Sequence, residues 1–133
     1  MTWPAVLWFH PAYVHFPIAF YFLELGLLIG WQAQGDESLH HFSDIALEAG
    51  YWSMLVAMLM GLITAGGLAG IRGKVVIHAY SALGLFAFYS FRRVYARKAD
   101  VHTAHYPWMR IGGSVLGCAL VLWVAYWGGL IQP

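Results

Sequence analysis

The sequence predicts an all-α integral membrane protein, an up-down bundle of four transmembrane helices. Three observations lead there. Of 133 residues, 61% are hydrophobic, 17% aromatic and only 10% charged, with a mean hydropathy of +0.65, more apolar surface than a soluble domain this small can hide. A membrane-spanning helix needs about 20 mostly apolar residues, and four segments meet that need, near 11–31, 45–70, 75–91 and 107–130. The segments are joined by short connections, so sequential helices run antiparallel. The whole of 1–133 reads as one transmembrane domain, without internal repeat or low-complexity tract.

The first segment opens on His10-Pro11-Ala12-Tyr13-Val14-His15-Phe16-Pro17. Pro11 suits a first-turn position, where a missing N–H costs nothing. Pro17 is expected deeper, where it would free the Tyr13 carbonyl and kink the helix. The stretch from Gln32 to Asp44 reads as a polar loop. The second segment ends in Gly66, Gly67 and Gly70, the third begins after Arg72-Gly73-Lys74, and the fourth runs to the final glycines. Three small-xxx-small patterns, starting at Gly26, Gly66 and Gly113, mark expected close helix contacts.

Charge sets the orientation. Arg92, Arg93, Arg97, Lys98 and Arg110 collect on one side and only Arg72 and Lys74 on the other; the positive-inside rule makes the first side cytoplasmic. Both termini are then expected in the periplasm. Trp3, Trp8, Trp123 and Trp127 mark one interface and Trp31, Trp52 and Trp108 the other. No signal peptide is expected, because no basic residue or small-residue cleavage motif opens the chain. Cys118 is the single cysteine, which excludes an internal disulfide, a thiolate cluster and covalent haem attachment. No basic stripe supports nucleic-acid binding, and no nucleophile with a base supports independent catalysis.

Histidines carry the chemistry. His15 and His78 stand at similar depths near the same face, about four residues past Pro11 and Lys74 respectively. Adjacent helices lie about 8–10 Å apart, so diagonal first and third helices leave a gap suited to two imidazoles with an iron between them. The pair is therefore a candidate for bis-histidine ligation of one haem b. Arg72 and Lys74 would pair with propionates, and Gly66 and Gly67 would let backbone approach the macrocycle. His10 is about 140° from His15 on a helix and reads as interfacial, near a propionate or a quinone. His40, His41, His102 and His105 lack closed-zinc spacing and read as solvated surface; Met54, Met58 and Met60 read as core filler.

Glu24 follows His15 by nine residues, about 180° around a helix. With His15 turned inward, Glu24 is expected to face outward and contact another membrane subunit.

The run HPAYVHFPIAFYFLELG, the IHAYSALGLFAFYSFRR segment and the GGL near the C-terminus resemble the bacterial membrane domain catalogued as domain of unknown function 2231, over nearly the whole chain. The resemblance implies a four-helix domain of the bacterial inner membrane, sometimes associated with cytochrome c-type modules. The leading expectation is a haem b electron-transfer subunit of a respiratory or photosynthetic oxidoreductase complex, itself non-catalytic. It would pass electrons between a periplasmic cytochrome c or similar protein and quinone or another membrane subunit. The alternatives are a cofactor-free anchor or assembly subunit, and a proton or metal-ion carrier.

Overall fold

The computed structural model describes residues 13–64, 66–67 and 73–129. Four helices account for nearly all of them: α1 (His15–Gln34), α2 (Glu37–Thr64), α3 (Lys74–Lys98) and α4 (Tyr106–Gly129). Each is long and apolar enough to cross a bilayer. Helix α1 packs on α2 and α4, and α3 packs on the same two, the closed ring of an up-down bundle with α1 and α3 on a diagonal. The outer faces carry Leu23, Ile29, Trp52, Ile63, Leu83 and Leu122 in the open, as lipid contact requires.

The polar stretch between the first two helices is not a loop. Helix α1 continues to Gln34 and α2 begins at Glu37, so the helices outrun the apolar core of the spans. Gly35 adopts φ 69° and returns its N–H to the Trp31 carbonyl at 2.8 Å, a left-handed helix stop that favours glycine. Asp36 then caps α2: its Oδ1 accepts from the Ser38 N–H at 2.9 Å and the Ser38 hydroxyl at 2.7 Å. Those bonds hold its carboxyl below the usual range.

Two further details differ. Pro17 stands in the first turn of α1, which starts at His15, rather than deeper in the helix, and its missing N–H costs no bond there; Tyr13 is helical and Val14 forms a turn between it and α1. Helix α3 runs on to Lys98 rather than stopping at 91 and ends on Arg97 and Lys98, cations placed favourably at the negative end of the helix dipole.

The core is built on aromatic rings that two glycines admit. Tyr21 and Tyr89 are fully buried and stack with centroids 3.7 Å apart. A side chain at Gly50 would place its Cβ 2.5 Å from the Tyr21 ring, and one at Gly117 would collide with the Tyr89 hydroxyl. Leu47, Met54, Leu85, Cys118 and Val121 fill the space around the rings. Met54 is core material, accepting the Tyr21 hydroxyl at 3.4 Å.

The small-xxx-small patterns divide accordingly. Gly113 and Gly117 on α4 make room for Arg92 and Tyr89, and Gly30 for Leu39, whereas nothing approaches Gly26. Gly66 and Gly67 adopt positive φ, 82° and 87°, and their N–H groups return to Ile63 and Leu62 carbonyls; they cap α2. Gly70 lies outside the described residues.

Candidate functional site

Helix α1 turns Pro17, Tyr21, Glu24 and Leu28 into the bundle, a stripe spaced as one helical face requires. Glu24 is therefore buried, with no exposed surface. This corrects the expectation that it meets another subunit. The opposition of His15 and Glu24 holds, but the phase is reversed: Glu24 points in and His15 is exposed. Nine residues at about 1.5 Å each put Glu24 about halfway along a helix that spans the membrane.

Such a carboxylate needs partners, and two other helices supply them. Arg92 of α3 grips it with two parallel bonds, Nη1 to Oε1 at 2.9 Å and Nη2 to Oε2 at 2.7 Å, the geometry that suits guanidinium to carboxylate. From α4, Arg110 donates Nη2 to Oε2 and Ser114 its hydroxyl to Oε1, each at 3.3 Å. Arg110, 1% exposed, reaches on to α2, where Nη1 donates to Asp44 Oδ1 at 2.8 Å and Nη2 to Ser43 Oγ at 3.4 Å; within α4, Nη1 also donates to the Tyr106 hydroxyl at 2.8 Å. Two carboxylates thus balance two guanidinium groups across all four helices.

Arg92 and Arg110 were expected in the cytoplasmic flank; they are buried pairs instead, leaving Arg93, Arg97 and Lys98 as that end's surface cations. Arg93 and Arg97 both bind Glu48. Among the four histidines read as surface, His41, His102 and His105 are exposed, but His40 joins the network, its Nε2 2.9 Å from the Tyr106 hydroxyl. Among the described residues, no group of three or more His, Cys, Asp or Glu is arranged to hold a metal ion.

The opposite end of the bundle holds His78, half-buried where α3 meets α4. Its Nδ1 lies 3.0 Å from the Val124 carbonyl. A carbonyl oxygen only accepts, so Nδ1 carries the proton and Nε2 keeps a free lone pair. Among the described residues no hydrogen bond reaches Nε2. The ring fits because the facing residue is Gly128, whose absent Cβ would stand 2.9 Å from His78 Cε1. Beside it on α4, the buried Trp127 Nε1 has no acceptor among the described residues.

These facts divide the expected haem residues. His78 has the orientation that a metal-bound imidazole takes, with the second ring nitrogen donating to a carbonyl. His15 begins α1 on the face opposite Glu24, so the two imidazoles do not converge inside the bundle. His10 and Arg72 lie outside the described residues; Lys74 begins α3, but its side chain is not among those described. Gly66 and Gly67 have open space where a Cβ would stand; their positive φ already accounts for glycine.

Sequence composition foreshadowed the membrane bundle but not its ionic centre. The missed signal was charge in apolar context: one acid in the first span, with Arg110 inside Pro107-Trp108-Met109-Arg110-Ile111-Gly112 and Arg92 after an aromatic run. Three such residues in three helices have each other as the cheapest partners.

No curated protein and no solved structure matched the chain. A family model described as a predicted membrane protein, DUF2231, matches residues 7–132. With four spanning helices and a match over nearly its full length, the chain belongs to the DUF2231 family of membrane proteins.

Proposed function

We propose that this chain is an electron-transfer subunit that holds haem b through His78. The observation that carries the reading is the His78 Nδ1–H bond to the Val124 carbonyl, which fixes ring and tautomer and leaves Nε2 as a ligand. Gly128 leaves the imidazole its room, and the unpartnered Trp127 Nε1 suits a carboxylate acceptor such as a propionate. Bound haem would supply one-electron chemistry at its iron. Electrons would pass between a periplasmic redox protein and quinone or another membrane subunit, with the Arg93, Arg97 and Lys98 end in the cytoplasm by the positive-inside rule. His15 as the second axial ligand would require a site on the flank of the bundle, since it faces away from the interior.

A second reading, a cofactor-free membrane anchor, is favoured by that outward position of His15 and by an ionic centre whose charges are already matched. Reduced-minus-oxidised visible spectra of the purified chain, supplied with haem b, separate the two. The expected result is a b-type signal lost in His78→Ala; a folded protein that takes up no haem supports the anchor. If His15→Ala leaves the low-spin signal intact, the second ligand is elsewhere.

A further inference from the structure

The geometry points to a proton-operated clasp between α2 and α4: a proton taken up by His40, from water at the end that carries Arg97 and Lys98, releases its bond to Tyr106. Helices α2 and α4 lie on the second diagonal of the bundle, so at this end long side chains, rather than direct helix packing, join them. His40 stands near the start of α2. Its side chain is 13% exposed and that of Asp44, one turn on, 41%, so water reaches the pair.

The bonds fix how His40 is protonated. The Tyr106 hydroxyl lies 2.9 Å from His40 Nε2 and 2.8 Å from Arg110 Nη1. Arg110 only donates, so the hydroxyl oxygen accepts that bond and gives its own hydrogen to Nε2. Arg110 Nη1 stands 3.4 Å from the same nitrogen. Nε2 is therefore the acceptor, and Nδ1 carries the hydrogen of a neutral ring, on the side where Asp44 Oδ2 lies 3.9 Å away. A second proton must enter at Nε2. There it sets a cation beside the Arg110 guanidinium and turns the Tyr106 hydrogen away from its acceptor, in a residue with no exposed surface.

Other groups around the ring pull in both directions. Asp44 and Glu37 of α2 favour the cation by charge, as does the face of Trp31 from α1, 4.6 Å from the imidazole; His41 opposes it. Asp44 already accepts from Arg110 at 2.8 Å, Glu37 and His41 are exposed to screening water, and the Trp31 and His40 planes are inclined at 48°. Tyr95 of α3 stacks on Tyr106 and brings no charge. The buried Arg110 and Tyr106 decide, and the closed clasp holds the neutral ring. Arg110 also donates Nη2 to Glu24, so opening the clasp reaches the carboxylate at the bundle centre.

The test compares the unfolding equilibrium of the full chain in mixed detergent micelles at pH 7.5 and pH 5.5. Stability from a ring held neutral is present at the higher pH and lost as pH falls. An imidazole of ordinary value, about 6.5, that takes its proton only on unfolding raises the unfolding constant by about tenfold over this interval. His40→Gln keeps an acceptor for Tyr106 and takes no charge, so it should lose most of that rise; the other histidines are common to both chains and cancel. An equal rise in the two chains would overturn the proposal. Should the variant not fold, ring-nitrogen spectra of the ¹⁵N-histidine-labelled native chain at pH 7.5 should show a ring locked with its hydrogen on Nδ1 that is unlocked in Tyr106→Phe. No ring whose tautomer depends on Tyr106 would equally overturn it.

Discussion

The two halves of this bundle use polar groups in opposite ways. Around Glu24, the carboxylate is fully buried and both its oxygens accept from partners on α3 and α4. Around His78, one ring nitrogen is fixed by a backbone carbonyl and the other is left over, while Trp127 presents a donor without an acceptor among the described residues. A carboxylate held on both oxygens ties helices together and has little capacity of its own left for a ligand; in that half the unpaired groups are the Arg110 Nε and the Tyr95 hydroxyl, buried without a partner among the described residues. An end with donors and acceptors to spare is where a cofactor gains most. Burial alone does not separate structure from function in this membrane protein; the remaining hydrogen-bonding capacity does.

The largest effect should come from breaking the satisfied half. Glu24→Leu leaves Arg92 buried and unmatched, and removing one member of a buried pair costs about 3–5 kcal/mol. Denaturant unfolding in detergent should register that loss. Adding Arg92→Leu should recover part of it, since the stranded charge is gone; additive losses in the double variant would mean that the two side chains do not pair.

A smaller effect is expected at the tyrosine layer. Gly117→Ala drives a methyl group into the Tyr89 hydroxyl and should destabilise by about 1–3 kcal/mol through overpacking. Tyr89→Phe in the same chain should relieve only part of it: the hydroxyl goes, but the ring Cζ still stands 2.6 Å from the added Cβ. Full relief, or none, would mean that the ring does not sit over Gly117 in this way.

The smallest effect belongs to the α1–α2 turn, far from both regions. The Asp36 carboxyl is held below its usual range by the Ser38 hydroxyl and N–H, so its ionised form is favoured by folding. Its contribution is present above the unfolded value of 3.8 and fades as pH falls through the lower folded value. Asp36→Ala should remove that part of the acid sensitivity and leave neutral-pH haem binding unchanged, as pH-dependent unfolding would record.

Much of the fold was legible because lipid imposes length and apolarity on every span, and the diagonal relation of α1 and α3 followed from short connections. The 180° between His15 and Glu24 was also legible, as helix geometry fixes it. Which of the two faces inward was not. A helix apolar on all sides carries no amphipathic sign to set its phase, so the choice rested on what His15 was expected to bind. Pairing Glu24 with Arg92 and Arg110 would have set the phase correctly. The turn at Gly35 and Asp36 was hidden for a related reason: polar residues past the bilayer were read as loop, although they continue the helices and cap them. His78 stands out by its depth in the span, but its bond to the Val124 carbonyl depends on α3–α4 packing that no local pattern encodes.

The division between the two halves is tested most directly by haem bound per folded molecule, measured side by side in Glu24→Gln and His78→Ala. The account predicts that Glu24→Gln lowers unfolding stability while its folded fraction keeps haem, and that His78→Ala keeps stability and loses haem. Haem lost with Glu24→Gln at full folded yield, or retained in His78→Ala, would contradict it.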